Sequence, residues 1–151
     1  METAIETTVA FGCDHAGFDR KEAIVDFLNN QGYIVLDFGT FSTESVDYPD
    51  FAHQVANAVE KGIATWGVLV CGSGIGVAIT ANKHQGIRAA LCWKKELGAL
   101  AHQHNNANVI ALPGRYVDDA EAIDILQAYI EASYEGGRHQ KRIEKIPVCG
   151  E

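Results

Sequence analysis

A cysteine followed by three alternating glycines is the most informative local feature of this 151-residue sequence. The segment reads Cys71-Gly-Ser-Gly-Ile-Gly76 and directly follows a run of apolar residues. Glycines at alternate positions allow backbone N–H groups to converge on a ligand without obstruction by side chains. A helix that begins here points its N-terminus at the same place, which favours an anion and eases deprotonation of a neighbouring thiol. The segment therefore predicts a base beside an oxyanion hole; a tight strand–helix turn with a buried cysteine is the structural alternative.

Three known motifs built on glycine or cysteine do not fit this loop. A dinucleotide-binding fingerprint needs glycine where Val77 stands, and an acidic residue where the next apolar run ends in Leu91 and Cys92. A P-loop ends in Gly-Lys-Ser or Gly-Lys-Thr, which the sequence does not contain. A cysteine phosphatase needs an arginine six residues after its nucleophile, and neither Cys71 nor Cys13 has one.

Titratable residues also follow the first and last apolar runs of the chain. Asp14 and His15 come after the first run, and Arg115 comes after the last. In parallel sheets ligands bind beyond the carboxyl ends of the strands, so we expect these residues near the glycine loop. His104 and Asn105 end a helix, which normally lies at the opposite edge. They reach the same site only if the chain runs on around it, or if a partner subunit supplies them.

The elements that must position these residues alternate along the chain. Apolar runs predict strands at 8–13, 33–38, 66–71, 87–92 and 108–112, and helical patterns predict helices at 18–31, 49–61, 77–83, 94–104 and 118–134. Near-continuous apolar strands that alternate with helices indicate a parallel sheet buried on both faces. We therefore predict one three-layer α/β/α domain over residues 1–151, with a five-stranded parallel sheet and a basic helical tail after Gly136 and Gly137.

Composition and charge exclude several classes of protein. The chain is 47% hydrophobic and 21% charged, as a folded globular protein is. A net charge of −8 argues against binding to nucleic acid or to an anionic membrane. The sequence has neither an apolar run of about 18 residues nor a basic leader followed by an apolar stretch, so we expect a cytoplasmic protein without a membrane span.

The positive charge is concentrated near the C-terminus, where it suits one small anion. Four of the twelve basic residues lie within eight positions, and Arg138 and Arg142 among them are four apart. A helix places that pair on one face, where both can clamp a phosphate group. A solvated helix face is the alternative interpretation of this cluster.

The four cysteines, Cys13, Cys71, Cys92 and Cys149, are widely spaced and include no Cys-x-x-Cys pair. Neither a disulfide framework nor a four-thiolate zinc site is expected from this spacing. We predict packing roles for all except Cys71. His102 and His104 are two residues apart and do not share a helix face, so this pair predicts no metal site.

Seven segments in register resemble the ribose-5-phosphate isomerase B family, which also contains galactose-6-phosphate and allose-6-phosphate isomerases. These segments are Phe11-Gly-Cys-Asp-His-Ala-Gly17, Asp47-Tyr-Pro49, Cys71-Gly-Ser-Gly-Ile-Gly76, Ala81-Asn-Lys83, Gly86-Ile-Arg-Ala89, His104-Asn105 and Glu135-Gly-Gly-Arg-His-Gln-Lys-Arg142. The resemblance runs from about residue 8 to residue 146. It implies a Rossmann-like α/β/α subunit that forms homodimers or tetramers with shared active sites and needs no metal or cofactor.

The implied reaction interconverts D-ribose 5-phosphate and D-ribulose 5-phosphate, a step of the pentose phosphate pathway, through a cis-enediolate. Two alternatives stay open within the family: a six-carbon aldose 6-phosphate as substrate, and a non-catalytic subunit that binds a sugar phosphate. A thiol-redox protein is a further alternative, but the sequence offers no resolving cysteine close to Cys71.

The resemblance also implies roles for individual residues. Cys71 takes the proton from C2 and returns it to C1, Ser73 moves a proton between O1 and O2, and His104 opens the furanose ring with help from Asp14. The enediolate is held by backbone amides of the loop, at Gly72, Gly74, Ile75 and Gly76. The remaining positions bind substrate. They are the sugar-contacting Tyr48 and Asn105 and the phosphate-binding His15, Arg115, Arg138 and Arg142, the last two supplied by the partner subunit.

Overall fold

The predicted apolar runs form the strands of one parallel sheet. In the computed structural model, which describes residues 7–148, the strands are β1 (Thr8–Cys13), β2 (Ile34–Asp37), β3 (Trp66–Cys71), β4 (Ala89–Leu91) and β5 (Val109–Pro113). They pair in the order β2-β1-β3-β5-β4, and each neighbouring pair is parallel. The predicted five-stranded parallel sheet is confirmed. Its order, which the sequence pattern leaves open, puts β3 at the centre.

Helices cover both faces of this sheet. They are α1 (Phe18–Asn30), α2 (Tyr48–Glu60), α3 (Ile75–Ala81), α4 (Lys95–Gln103), α5 (Asp119–Glu131) and α6 (Arg138–Ile143). One buried cluster joins the sheet to α1, α5 and the buried side of α4, and the other joins it to α2 and α3. Because successive strand residues point to opposite faces, Val70 packs in the first cluster and Cys71 in the second. The three-layer α/β/α prediction is therefore confirmed, as is the basic helical tail.

Burial on both faces holds for the inner strands but not for the two edges. The side chains of β1, β3 and β5 are almost all buried, whereas those of β2 and β4 are exposed or partly exposed. Ile34 at the start of β2 is 44% exposed. Both strands lie at the edges of the sheet, so each has a neighbouring strand on one side only. The apolar composition of these two runs therefore overstates their burial.

Two predicted boundaries around the glycine loop need correction. Helix α3 begins at Ile75 instead of Val77, because Gly74 caps it in a left-handed conformation with φ of 74°. Strand β5 includes Pro113, which we expected to lie beyond its end. A proline is tolerated as the last strand residue because the ladder no longer needs its missing N–H group.

Packing roles account for three residues to which the sequence assigns no catalytic role: His102, Cys13 and Cys92. His102 stacks on Tyr129 and bonds its carbonyl through Nδ1 at 2.9 Å, which ties α4 to α5. Cys13 and Cys92 are buried free thiols, and burial raises the pKa of each to about 12. Their packing roles are confirmed, whereas Cys149 lies outside the described residues. Among residues 7–148, no helix has the length and apolar character needed to cross a bilayer.

Candidate active site

The loops after β1, β3 and β5 meet at the carboxyl edge of the sheet. Cys71 is the last residue of β3, and its carbonyl accepts the N–H of Gly114 at 2.8 Å. The next carbonyl, of Gly72, accepts the N–H of Arg115 at 3.0 Å. Asp14 directly follows β1, and its N–H donates to the carbonyl of Val70 at 3.2 Å. Short backbone hydrogen bonds thus hold the ends of three adjacent strands in fixed relative positions.

A cleft of about 490 Å³ opens at this edge. Most of the predicted site residues line it, namely Asp14, His15, Tyr48, Cys71, Gly72, Ser73, Ile75, Gly76 and Arg115. The prediction that residues after the ends of β1 and β5 lie near the glycine loop is therefore confirmed for Asp14, His15 and Arg115. Three further lining residues were missed: Ala16, Ile79 and Tyr116. For Ile79 the available signal was its spacing of four residues from Ile75, which places both on one face of a helix.

Two of the loop glycines are required by packing against the protein, not by approach to a ligand. A Cβ on Gly74 would lie 2.5 Å from Cδ1 of Leu91, and its positive φ is in any case strained for other residues. A Cβ on Gly76 would lie 2.6 Å from the ring of Tyr48. Gly76 therefore lets the tyrosine ring lie directly against the first turn of α3. Gly74 itself does not line the cleft, so of the three loop glycines only Gly72 and Gly76 border the site.

The start of α3 presents backbone donors at the cleft. Within residues 7–148, the N–H groups of Ser73 and Gly76 have no hydrogen-bond partner. The N–H of Ile75 donates to Oγ of Ser73 at 3.2 Å, so that hydroxyl accepts one bond and keeps its own proton to donate elsewhere. Unpaired amides at the positive end of a helix stabilise negative charge that develops on a bound molecule.

The thiol of Cys71 differs in position from the other described thiols. It is 4% exposed and packs with the α2 and α3 cluster, yet it also lines the cleft. Cys13 and Cys92 are buried among apolar side chains on the other face of the sheet. Among the cysteines that the structure describes, Cys71 alone lines the cleft beside the backbone donors of α3.

The residues after β1 are held in defined orientations. Oδ1 of Asp14 accepts the N–H groups of Ala16 and Gly17 at 2.9 and 3.0 Å, which stabilises the turn into α1. Nδ1 of His15 accepts the N–H of Val46 at 3.2 Å. A neutral imidazole that accepts at Nδ1 carries its proton on Nε2, so His15 offers an N–H donor to a ligand.

A second polar cavity of about 620 Å³ continues from the cleft, and His15 and Arg115 line both. This cavity also contains Arg20, which the sequence analysis missed. The Arg20 guanidinium is paired with Asp119 at 2.5 Å, so its charge is compensated within the chain. The exposed Arg115 has no such carboxylate among the described residues, and together with His15 it offers donors to an anionic group.

The remaining predicted residues, His104, Asn105, Arg138 and Arg142, do not line the cleft of this chain. His104 ends α4, and the chain then enters β5 at Val109, whereas the cleft lies where β5 ends. A five-residue strand separates these edges by roughly 15 Å. The first of the two predicted routes, in which the chain runs on around the site, is therefore wrong. Arg138 and Arg142 are exposed on α6, four residues apart as predicted.

The profile of the ribose/galactose isomerase family matches residues 9–146. The chain belongs to this family. It is 49% identical to ribose-5-phosphate isomerase B of Escherichia coli strain K12 over 138 residues, which is 91% of this chain and 93% of that protein.

Two solved structures of ribose/galactose isomerases have the same fold as this chain. Ribose-5-phosphate isomerase B of Clostridium thermocellum has a TM-score of 0.91 at 45% identity, covering 93% of this chain and 95% of the other. The enzyme of Mycoplasma genitalium, solved with bound ribulose-5-phosphate, has a TM-score of 0.90 at 42% identity, covering 94% and 95%. The family and fold implied by the seven sequence segments are thus confirmed.

Proposed function

We propose that this chain interconverts D-ribose 5-phosphate and D-ribulose 5-phosphate through a cis-enediolate. The observation that carries the proposal is the Cys71 thiol, which lines one cleft together with the unpaired amides of Ser73 and Gly76. An aldose–ketose isomerisation needs a base for a carbon-bound proton and donors for the oxyanion that forms next to it. The family relatives named as ribose-5-phosphate isomerases support this choice of sugar.

The proposed proton transfers conserve every atom of the substrate. The thiolate of Cys71 removes the proton from C2 of the open-chain aldose, and the negative charge moves onto O1. Ser73 donates its hydroxyl proton to O1 and takes the proton of O2, while the unpaired amides of Ser73 and Gly76 stabilise the charge. Cys71 then returns its proton to C1, which leaves the ketose. No metal or cofactor takes part in these steps.

The other cleft residues bind and orient the sugar phosphate. Nε2–H of His15 and the guanidinium of Arg115 bind the phosphate, at the junction with the second polar cavity. The ring of Tyr48, which lies against Gly76, contacts the sugar. Asp14 lies in the same cleft and assists His104 in opening the furanose ring.

The site is completed by a second copy of the chain. His104, Asn105, Arg138 and Arg142 lie away from the cleft, so in a homodimer each subunit supplies them to its partner. Exposed apolar side chains provide a surface for this association: Ile75, Ile79, Trp93, Leu97, Leu100 and Tyr116. Ile75, Ile79 and Tyr116 also line the cleft, so an interface formed there adjoins the site. We propose a homodimer, or a tetramer built from such dimers.

The chain works as one isomerase domain over residues 1–151, with a small sugar phosphate as its ligand. The described cysteines are free thiols, which suits a reducing compartment. On this ground we propose the cytoplasm as the place of action.

The decisive experiment incubates the pure protein with ribose 5-phosphate and EDTA in D₂O. We expect ribulose 5-phosphate, measured by NMR, with deuterium at C1 in the turnovers in which the thiol proton of Cys71 exchanges with solvent before it is returned. Cys71→Ala should lower kcat by at least about a hundredfold, as loss of a general base does. Cys92→Ala is the matched control, because that thiol is buried away from the cleft. Absence of turnover in the wild type refutes the proposed reaction, and near-wild-type turnover of Cys71→Ala refutes the proposed base.

The same assay decides the length of the sugar. Ribose 5-phosphate, allose 6-phosphate and galactose 6-phosphate are compared by kcat/KM. A higher kcat/KM for a six-carbon sugar would reassign the substrate while leaving the proton transfers in place. Binding of all three sugars without exchange of the C2 proton would identify a non-catalytic subunit instead.

A further inference from the structure

Two histidines and a glutamate form a cluster at the edge of the sheet opposite the cleft. His104 caps the C-terminus of α4, Glu135 lies in the connection that follows α5, and His139 lies in α6. One potential ligand atom from each lies within 4.8 Å of the other two. Oε1 of Glu135 is 3.7 Å from Nε2 of His104 and 3.4 Å from Nε2 of His139. The two imidazole rings stack with centroids 4.4 Å apart.

The buried nitrogen of His139 is an unsatisfied group within this cluster. The residue is 7% exposed, and its Nε2 makes no hydrogen bond to the described residues. Oε1 of Glu135 is close enough to attract a positive charge, but at 3.4 Å it lies beyond the usual N–H···O hydrogen-bond range of about 2.7–3.2 Å. Leaving a polar nitrogen buried and unpaired is unfavourable, so such a group calls for an explanation. A positively charged ion between the carboxylate and the two imidazoles would satisfy it.

Backbone contacts hold the cluster together before any ion binds. The N–H of Glu135 donates to the carbonyl of Gln103 at 3.0 Å, which ties the connection to the last turn of α4. Gly136 and Gly137 both have positive φ, at 65° and 55°, and they turn the chain directly into α6. The N–H of His139 donates to the carbonyl of Gly136 at 3.1 Å. The three side chains are therefore presented by a turn whose geometry the backbone defines.

We propose that His104, Glu135 and His139 bind one divalent transition-metal ion of the Zn²⁺ class. Two imidazoles and one carboxylate are ligands that Zn²⁺, Co²⁺ and Ni²⁺ favour over Mg²⁺ or Ca²⁺. Tetrahedral Zn²⁺ bonds of about 2.0–2.2 Å imply ligand–ligand separations of about 3.3 Å. The distances of 3.4 and 3.7 Å from Glu135 are already close to this value. Stacked rings do not direct their nitrogen lone pairs at one point, so the partly exposed ring of His104 has to turn out of the stack when the ion binds.

The other pair of neighbouring histidines provides a contrast. Nδ1 of His53 and Nε2 of His84 are 2.7 Å apart, and Nδ1 of His84 bonds Oε1 of Glu60 at 2.9 Å. These nitrogens are satisfied by each other and by the carboxylate. They are also closer than two ligands of one ion normally lie. This pair is therefore a suitable control for non-specific binding of metal to surface histidines.

The consequence for activity rests on the proposed function. His104 is the residue proposed to open the furanose ring, and a metal bound at Nε2 occupies the lone pair that it needs for proton transfer. The ion is thus an inhibitor and not a cofactor. Because ribulose 5-phosphate cannot close to a furanose, inhibition should be stronger with the cyclic aldose as substrate than with the ketose.

The binding test uses the full-length, metal-free protein in its native assembly. We expect Zn²⁺ titration by calorimetry to give one site per chain, and Co²⁺ to give the visible absorption of a tetrahedral site. His139→Ala and Glu135→Gln should each weaken binding by at least about tenfold, whereas His84→Ala should leave it unchanged. Glu135 is exposed, so Glu135→Gln keeps the test valid if His139→Ala does not fold. Unchanged binding in Glu135→Gln, or a Co²⁺–thiolate band that reports Cys71 as the ligand, would overturn the proposed site.

Binding and inhibition are measured separately, so their failures can be told apart. The titrations need no substrate, and they stand even if the protein turns over neither sugar. In the kinetic test, Zn²⁺ should inhibit aldose turnover at least about tenfold more than ketose turnover, and His139→Ala should relieve the effect. Equal inhibition in both directions, or inhibition that persists in His139→Ala, would refute the inhibitory role.

Discussion

Mixing two variants that are each expected to be inactive tests whether the active site is shared between subunits. Cys71→Ala removes the proposed base inside the cleft, and Arg142→Ala removes an exposed arginine on α6 that the same chain does not present to its cleft. Random re-association of equal amounts gives half mixed dimers in a twofold-symmetric assembly. Each mixed dimer has one site with both substitutions and one site with neither. The mixture should therefore recover about a quarter of the wild-type activity per chain.

The matched control combines two substitutions on the same side of the site. Cys71→Ala mixed with Ser73→Ala leaves every cleft defective, so no activity should return. Both mixtures are dissociated and re-associated under mild denaturant, subunit exchange is verified by native mass spectrometry, and ribulose 5-phosphate is measured. If exchange is complete and the Cys71→Ala and Arg142→Ala mixture stays inactive, the shared site is wrong. Equal recovery in the control mixture would show that the gain does not come from a rebuilt site.

Two further predictions concern the thiols and the glycine loop. Iodoacetamide at pH 8 should label Cys71 well before Cys13 and Cys92. Burial raises the pKa of Cys13 and of Cys92 to about 12, so these two thiols stay protonated and unreactive. Peptide mass spectrometry with and without substrate measures the labelling of each cysteine. Gly74→Ala should lower the free energy of unfolding by about 2–4 kcal/mol, since its Cβ would lie 2.5 Å from a leucine side chain. Gly62→Ala, with the same φ of 74° and open space around it, should cost only about 1 kcal/mol in urea unfolding; equal losses would refute the steric argument.

The location of the cleft follows from sequence because the relevant geometry is local. Apolar runs that alternate with helices predict parallel strands, and the carboxyl ends of parallel strands lie at one edge. Asp14, Cys71 and Arg115 each lie within two residues of the carboxyl end of a strand, which predicts their edge of the sheet, and the strand order β1-β3-β5 then makes them neighbours. The structure confirms that they line one cleft. The catalytic role of Cys71 remains a prediction, which Cys71→Ala tests.

What the sequence does not reveal depends on contacts between distant segments. The need for glycine at position 76 comes from the ring of Tyr48, which lies 28 residues earlier in the chain. The exposure of β2 and β4 comes from their place at the ends of the sheet, which the apolar pattern does not encode. The boundary of α3 depends on the left-handed φ of Gly74. A glycine-rich segment permits that conformation without specifying which glycine adopts it.

The distribution of residues over two edges makes the proposed catalysis a property of the assembly. His104 lies shortly before the chain enters β5, and Cys71 lies beside the end of β5, so the whole length of an inner, fully buried strand separates them. No rotamer change or loop motion spans that distance without unfolding the sheet. A functional role for His104 in the same reaction therefore requires a second chain. In the proposed homodimer this edge, with Glu135 and His139 around His104, would supply His104 to the partner's cleft, and a metal ion bound there would block that role.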